Sequence, residues 1–144
     1  MAGGRKSPCV GICSTTYGDL VCRGCKRFAH EITSWNGYEQ AQRDQIWSRL
    51  NDIQAQVVDA HLTIYAPEIF AAYQIEHLTR DHGSEPGVVH RVLTHLAASG
   101  RRLDDAGLVS TLEGKDALAV IRNLDQEMYS RSQAIYERSF RVTS

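Results

Sequence analysis

The sequence predicts a mainly α chain: an N-terminal four-cysteine metal-binding knuckle followed by a helical bundle. Three observations carry this. All four cysteines (Cys9, Cys13, Cys22 and Cys25) fall in one short N-terminal stretch. Beyond it, apolar residues recur at helical spacing, as in Ile46, Leu50, Ile53 and Val57. No alternating strand pattern, internal repeat or low-complexity segment is visible.

The cysteines come as two close pairs, Cys9-Val-Gly-Ile-Cys13 and Cys22-Arg-Gly-Cys25. Each pair can supply two thiolates from one tight turn, the close ligand spacing of structural metal sites. Gly11 and Gly24 lie inside those turns, where positive φ or close backbone approach is often needed. Tyr17-Gly18-Asp19 is a turn signal that folds the second pair back on the first. Disulfides fit less well, because the polar, basic stretch Met1–Ser7 has no secretory character. A dithiol redox pair would normally follow a strand, and no strand pattern precedes Cys22.

Zinc and iron–sulfur clusters both accept four thiolates, and the spacing here matches neither the ferredoxin runs nor the longer loop of common zinc sites. Both assemblies would bring negative charge. Arg23, Lys26 and Arg27 can offset it, as can the N-terminus of a helix starting after Cys25.

Ser7-Pro8-Cys9-x3-Cys13, then Cys22-Arg-Gly-Cys25-x-Arg27, then Glu31-Ile32-x-x-Trp35, resembles the bacterial DUF1289 family over about residues 7–50. Members of that family are commonly labelled predicted iron–sulfur proteins. The resemblance implies a cofactor held by the four cysteines and a following helical hairpin. It implies no reaction.

The expected organisation is a knuckle with a short helix over residues 1–35 and a helical domain over residues 36–144. Met1–Lys6 reads as a polar tail. Phe28, Ile32 and Trp35 make the stripe of a short helix over Lys26–Ser34, with Trp35 as the plug between knuckle and body. Glu31 is placed to cap or to pair with a nearby base. Asn36 with Glu39 reads as a capping box opening a helix from about Gly37 to Leu62. Trp47 widens its stripe, while Arg43, Asp44, Arg49, Asp52 and Asp59 are expected to face water. Pro67 opens the next helix, which presents Ile69, Phe70, Tyr73 and His77 and fades by Asp81–Gly83. Ser84-Glu-Pro-Gly87 caps another, with Val89, Val92, Leu93 and Leu96 inward and Gly100 at its end. Leu103–Leu112 reads as a short helix or turn. Gly114–Phe140 reads as one long helix with Ala117, Ile121, Leu124, Met128 and Ile135 as its stripe.

Hydrophobic residues make up 42% of the 144 positions, enough to support a core, and the net charge is −1. That charge is uneven. Arg5, Lys6, Arg23, Lys26 and Arg27 oppose Asp19 alone in the first thirty residues, whereas residues 31–83 are acidic. No apolar run approaches the roughly 20 residues of a membrane span, and a cytoplasmic location is expected.

Other chemistry is sparsely represented. His77 with His82, and His90 with His95, are five residues apart, about 140° around a helix and poorly set for joint ligation. His30 is the one histidine near the cysteines, a candidate for tuning them from outside. His61 and the tyrosines Tyr38, Tyr65, Tyr73, Tyr129 and Tyr136 read as structural. Phosphate loops, nucleophile elbows and metalloprotease helices are not found. Val88–Ala98, Leu103–Leu112 and Gly114–Leu124 are similar to a helix-turn-helix core, but Glu113, Asp116 and Asp125 offset Lys115 and Arg122. The expectation is a non-enzymatic metal-binding adaptor with a protein partner and a basic knuckle surface. The alternatives are an iron–sulfur protein in electron transfer, cluster delivery or redox sensing, and a nucleic-acid binder using the basic knuckle.

Overall fold

The structure, a computed structural model, describes residues 7–11, 13–78, 84–112 and 116–140. The expected tail, the fading of the helix at Asp81–Gly83, His82 and the Glu113–Lys115 start of the final helix lie outside those residues. The chain is mainly α. In order come α1 (Ala29–Ser34), α2 (Gln40–His61), β1 (Leu62–Ile64), α3 (Pro67–His77), α4 (Glu85–Ala98), β2 (Leu108–Ser110) and α5 (Ala117–Ser139). Single 3₁₀ turns stand at Ser14–Tyr17, Trp35–Gly37 and Leu103–Ala106. Two compact units share these elements: Met1–Ile53 with Met128–Ser144, and Gln54–Glu127.

Several helix ends follow the sequence signals. Pro67 is the first residue of α3, where its missing N–H costs nothing. Ser84 caps α4, its hydroxyl accepting from the Gly87 N–H. The start of α2 differs from expectation. Trp35–Gly37 closes as a 3₁₀ turn, and the cap moves three residues on, where the Gln42 side chain accepts from the Glu39 N–H at 2.9 Å.

In the unit Gln54–Glu127, α4 buries Val88, Val89, Val92, Leu93 and Leu96 as its stripe predicts. Phe70 and Tyr73 of α3 and Ala117, Val120 and Leu124 of α5 are buried too. Val120 takes the place expected for Ile121, which is only half-buried. Within this mainly α chain, where no strand was visible in the sequence, β1 and β2 pair antiparallel, with Leu62 opposite Ser110 and Ile64 opposite Leu108. Strands of three residues are too short to show alternation, which is why the pattern was silent. The helix-turn-helix resemblance ends here, since its middle segment is a 3₁₀ turn followed by β2.

Gly107 joins that turn to β2 at φ 69°, and its carbonyl accepts from the Tyr65 N–H at 2.9 Å. A Cβ there would stand 2.5 Å from the Ala66 carbonyl oxygen. Gly100 has a similar φ of 66° but open space around it. Gly107→Ala should therefore cost more than about 2 kcal/mol, and Gly100→Ala only about 1 kcal/mol, the left-handed penalty alone. Urea unfolding of both variants measures the difference.

Candidate metal centre

The second cysteine pair closes a small hairpin. The Cys22 N–H donates to the Arg27 carbonyl at 2.9 Å, and the Ala29 N–H to the Leu20 carbonyl at 2.8 Å, so Val21 and Phe28 pair as an antiparallel bridge. The turn itself is a five-residue loop in which the Lys26 N–H returns to the Cys22 carbonyl at 2.9 Å. Lys26 adopts φ 68° to make it, a conformation an L side chain rarely takes. Gly11, inside the first pair, has φ 98°, as its position predicted. Gly18, at φ 102°, ends the 3₁₀ turn Ser14–Tyr17 that links the pairs.

Each sulfur receives backbone hydrogen bonding from just downstream. The Gly11 N–H donates to Cys9 Sγ at 3.4 Å. Thr15 serves Cys13 with its backbone and, at 2.7 Å, its hydroxyl. Ser14, Gly24 and Cys25 serve Cys22 through their backbones, and Arg27 serves Cys25. Thr15 is the main cause holding the Cys13 thiol below its ordinary range. Burial pushes the Cys22 thiol up, but the backbone donors outweigh it and bring Cys22 down to about 7. At Cys25 burial prevails over the Arg27 contacts and the thiol is raised.

Cys22 and Cys25 are neighbours, the Cys25 side chain hydrogen-bonding Cys22, and Cys13 lies within electrostatic reach of Cys22. Cys9 is exposed. Among the described residues, no three His, Cys, Asp or Glu side chains stand together in a metal-binding arrangement. The donor chemistry nevertheless suits a thiolate-bound metal, because backbone N–H groups aimed at sulfur favour the charged form that ligates.

Two of the three expected surface cations turn inward. Lys26 is 7% exposed and Arg27 3%, while Arg23 stays at the surface, 3.4 Å from Asp19. The Arg27 Nε donates to Cys25 Sγ at 3.3 Å, and its guanidinium lies 4.8 Å from the Trp35 ring centre. Trp35 is buried and forms the platform for that cation. Its carbonyl accepts from the Arg43 Nε at 3.0 Å.

Glu31, 5% exposed, caps α1 by accepting from the Phe28 N–H at 2.8 Å. It also takes both arms of the Arg49 guanidinium, at 2.6 and 2.7 Å. Arg49, expected to face water, instead lies 4.0 Å over the Phe28 ring. It stands three residues after Ile46 and four before Ile53, both buried, and that edge position was the available signal. Val21, Phe28 and Tyr129 make a small buried cluster, with Ile135 and Tyr136 packed against it. His30 is exposed and its ring meets Phe140 at 4.8 Å.

These residues fall in register with a catalogued segment. Residues 7–54 match the DUF1289 family model. Its description is a protein of unknown function, and the match covers about a third of the chain. It contains the four cysteines, Arg27, Glu31, Trp35 and Arg49 together. Comparisons with curated proteins and with solved structures return no match.

His61, His77 and His95 are occupied within the unit Gln54–Glu127. His61 bridges Thr111 at 3.0 Å and Glu127 at 2.8 Å. His95 hydrogen-bonds the Tyr73 hydroxyl, and the Arg101 guanidinium reaches His77 Nε2 at 2.8 Å.

The buried ion pair generates a stability test. Glu31→Gln leaves Arg49 without its counter-charge, and Arg49→Met leaves a buried carboxylate. Each should cost about 3 kcal/mol by urea unfolding. The double variant should lose well under the sum, because both singles break one interaction. Additive losses would mean that the two side chains contribute independently.

Proposed function

We propose that Cys9, Cys13, Cys22 and Cys25 of the DUF1289 segment hold one metal centre and that the protein is a non-enzymatic, metal-binding adaptor. The observation that carries this is the backbone N–H supply to the sulfurs in both turns, together with the hydrogen bond between Cys22 and Cys25. Turns that satisfy sulfur with backbone donors are of little use to neutral surface thiols but favour thiolate ligands. Cys9, exposed at the start of the first turn, supplies the fourth donor as the centre forms. Metal binding then closes the first pair onto the second and fixes a segment too short to bury a core of its own.

A protein is the better-supported partner. Val10, Tyr17 and Leu20 expose apolar side chains around the cysteines, Tyr17 at 88%. A phosphate backbone would need exposed cations there, and Lys26 and Arg27 are buried. No helix is long and apolar enough to cross a membrane among the described residues. An iron–sulfur centre in electron transfer, cluster delivery or redox sensing uses the same four donors and is the alternative occupant.

Anaerobic purification followed by metal analysis and a visible spectrum tests the reading. One zinc per chain and no colour identifies the zinc adaptor; iron, sulfide and broad visible absorption identify a cluster. A chain with neither, and with four freely alkylated thiols, contradicts both. Chelation should leave most helical circular dichroism intact, because residues 54–127 bury their own apolar stripes.

A further inference from the structure

Arg27 is the least ordinary residue of the cysteine segment. It is almost fully buried, yet among the described residues no carboxylate lies within ion-pair distance of it. Glu31, four residues on and itself buried, has both oxygens committed to Arg49. A buried guanidinium without an opposing charge is costly, and removing one partner of a buried pair typically costs several kcal/mol. The Trp35 ring at 4.8 Å offers a quadrupole, which offsets only part of that cost. Among the described residues, the group in hydrogen-bond contact that can carry a full negative charge is Cys25 Sγ, 3.3 Å from Nε.

We propose that Arg27 is the internal counter-ion and positioning residue of the metal centre, oriented by Trp35 and directed at the Cys25 sulfur. The inference rests on the four-thiolate reading above and deepens it. A centre of four thiolates carries net negative charge, and a cation inside the protein, fixed by stacking, compensates it without the screening a surface lysine would suffer. The planar fork matters as well as the charge. Nε reaches sulfur while the guanidinium carbon stays over the indole, a geometry lysine cannot reproduce. The arrangement also gives Trp35 a second task beyond packing, since it holds the cation that faces the ligand.

The test uses the full chain, reduced and metal-free, titrated with Co²⁺ alone, whose thiolate charge-transfer absorption reports the metal–sulfur bonds. Arg27→Gln should bind Co²⁺ about 10- to 100-fold more weakly, the range expected for loss of a residue that supports a metal ligand. Its charge-transfer band should move, because one sulfur has lost a hydrogen bond. Its helical circular dichroism before metal addition should match the wild type. Arg27→Lys should regain most of the affinity but not the band position. Unchanged affinity and band in Arg27→Gln would overturn the proposal. So would loss of helical signal in the metal-free variant, which would assign Arg27 to the fold, or an Arg27→Lys variant as weak as Arg27→Gln. Failure of the wild type to take up Co²⁺ would instead overturn the four-thiolate reading itself.

Discussion

A cysteine-bearing stretch of twenty residues cannot bury enough apolar surface to hold its own shape, so it must be tied to something that can. The tie is the buried pair between Glu31 and Arg49. Glu31 does two things with one carboxylate: it caps α1 through the Phe28 N–H and grips a guanidinium from the first half of α2. Phe28 is the hinge of this arrangement. Its N–H meets Glu31, its ring lies under Arg49, and its bridge to Val21 closes the hairpin that carries Cys22 and Cys25. The same ring packs edge-on against Tyr136 and Phe140 near the end of α5. A buried ion pair is not a cheap way to gain stability, and a well-packed apolar pair could match it. What it does supply is direction, because a two-pronged contact fixes one orientation of α1 on α2.

A second cation works outward from the same platform. Arg27 lies on Trp35 and reaches Cys25, so the sulfur is linked through two side chains to the turn that precedes α2. The Arg43 bonds to the Trp35 and Asn36 carbonyls hold that turn in place. Basic residues near the cysteines thus divide by task. Arg23 remains at the surface beside Asp19, whereas Lys26 and Arg27 are consumed internally. A count of charges along the chain cannot make this distinction, and it led to the expectation of a basic surface to which Lys26 and Arg27 do not contribute.

Much of the fold was legible because it rests on local rules. Pro67, Ser84 and Gly100 mark helix ends through φ restriction, a side-chain cap and a left-handed exit, all of which depend on the nearest few residues. The stripe Val89, Val92, Leu93 and Leu96 is periodic and correctly predicts a buried face. The paired strands β1 and β2 were hidden, since three residues give no period and their pairing spans more than forty positions. In the cysteine segment, Glu31 was identified as a capping or pairing residue, but its partner Arg49 was assigned to solvent. Arginine is polar by composition and amphipathic by shape, so a stripe-edge position can turn it inward along its stem. The part played by Tyr129 and Tyr136 beside Phe28 was equally hidden, because it joins residues a hundred positions apart.

The central claim is that the four cysteines act as a single ligand set, positioned by the Glu31 and Arg27 networks. X-ray absorption at the metal edge of the purified full-length chain measures this directly. The account predicts a first shell made of sulfur alone, four per metal at about 2.3 Å if the metal is zinc, or cysteine sulfur and sulfide around iron if it is a cluster. A first shell dominated by oxygen or nitrogen, or one with only two sulfurs, would show that the pairs do not act together and would contradict it.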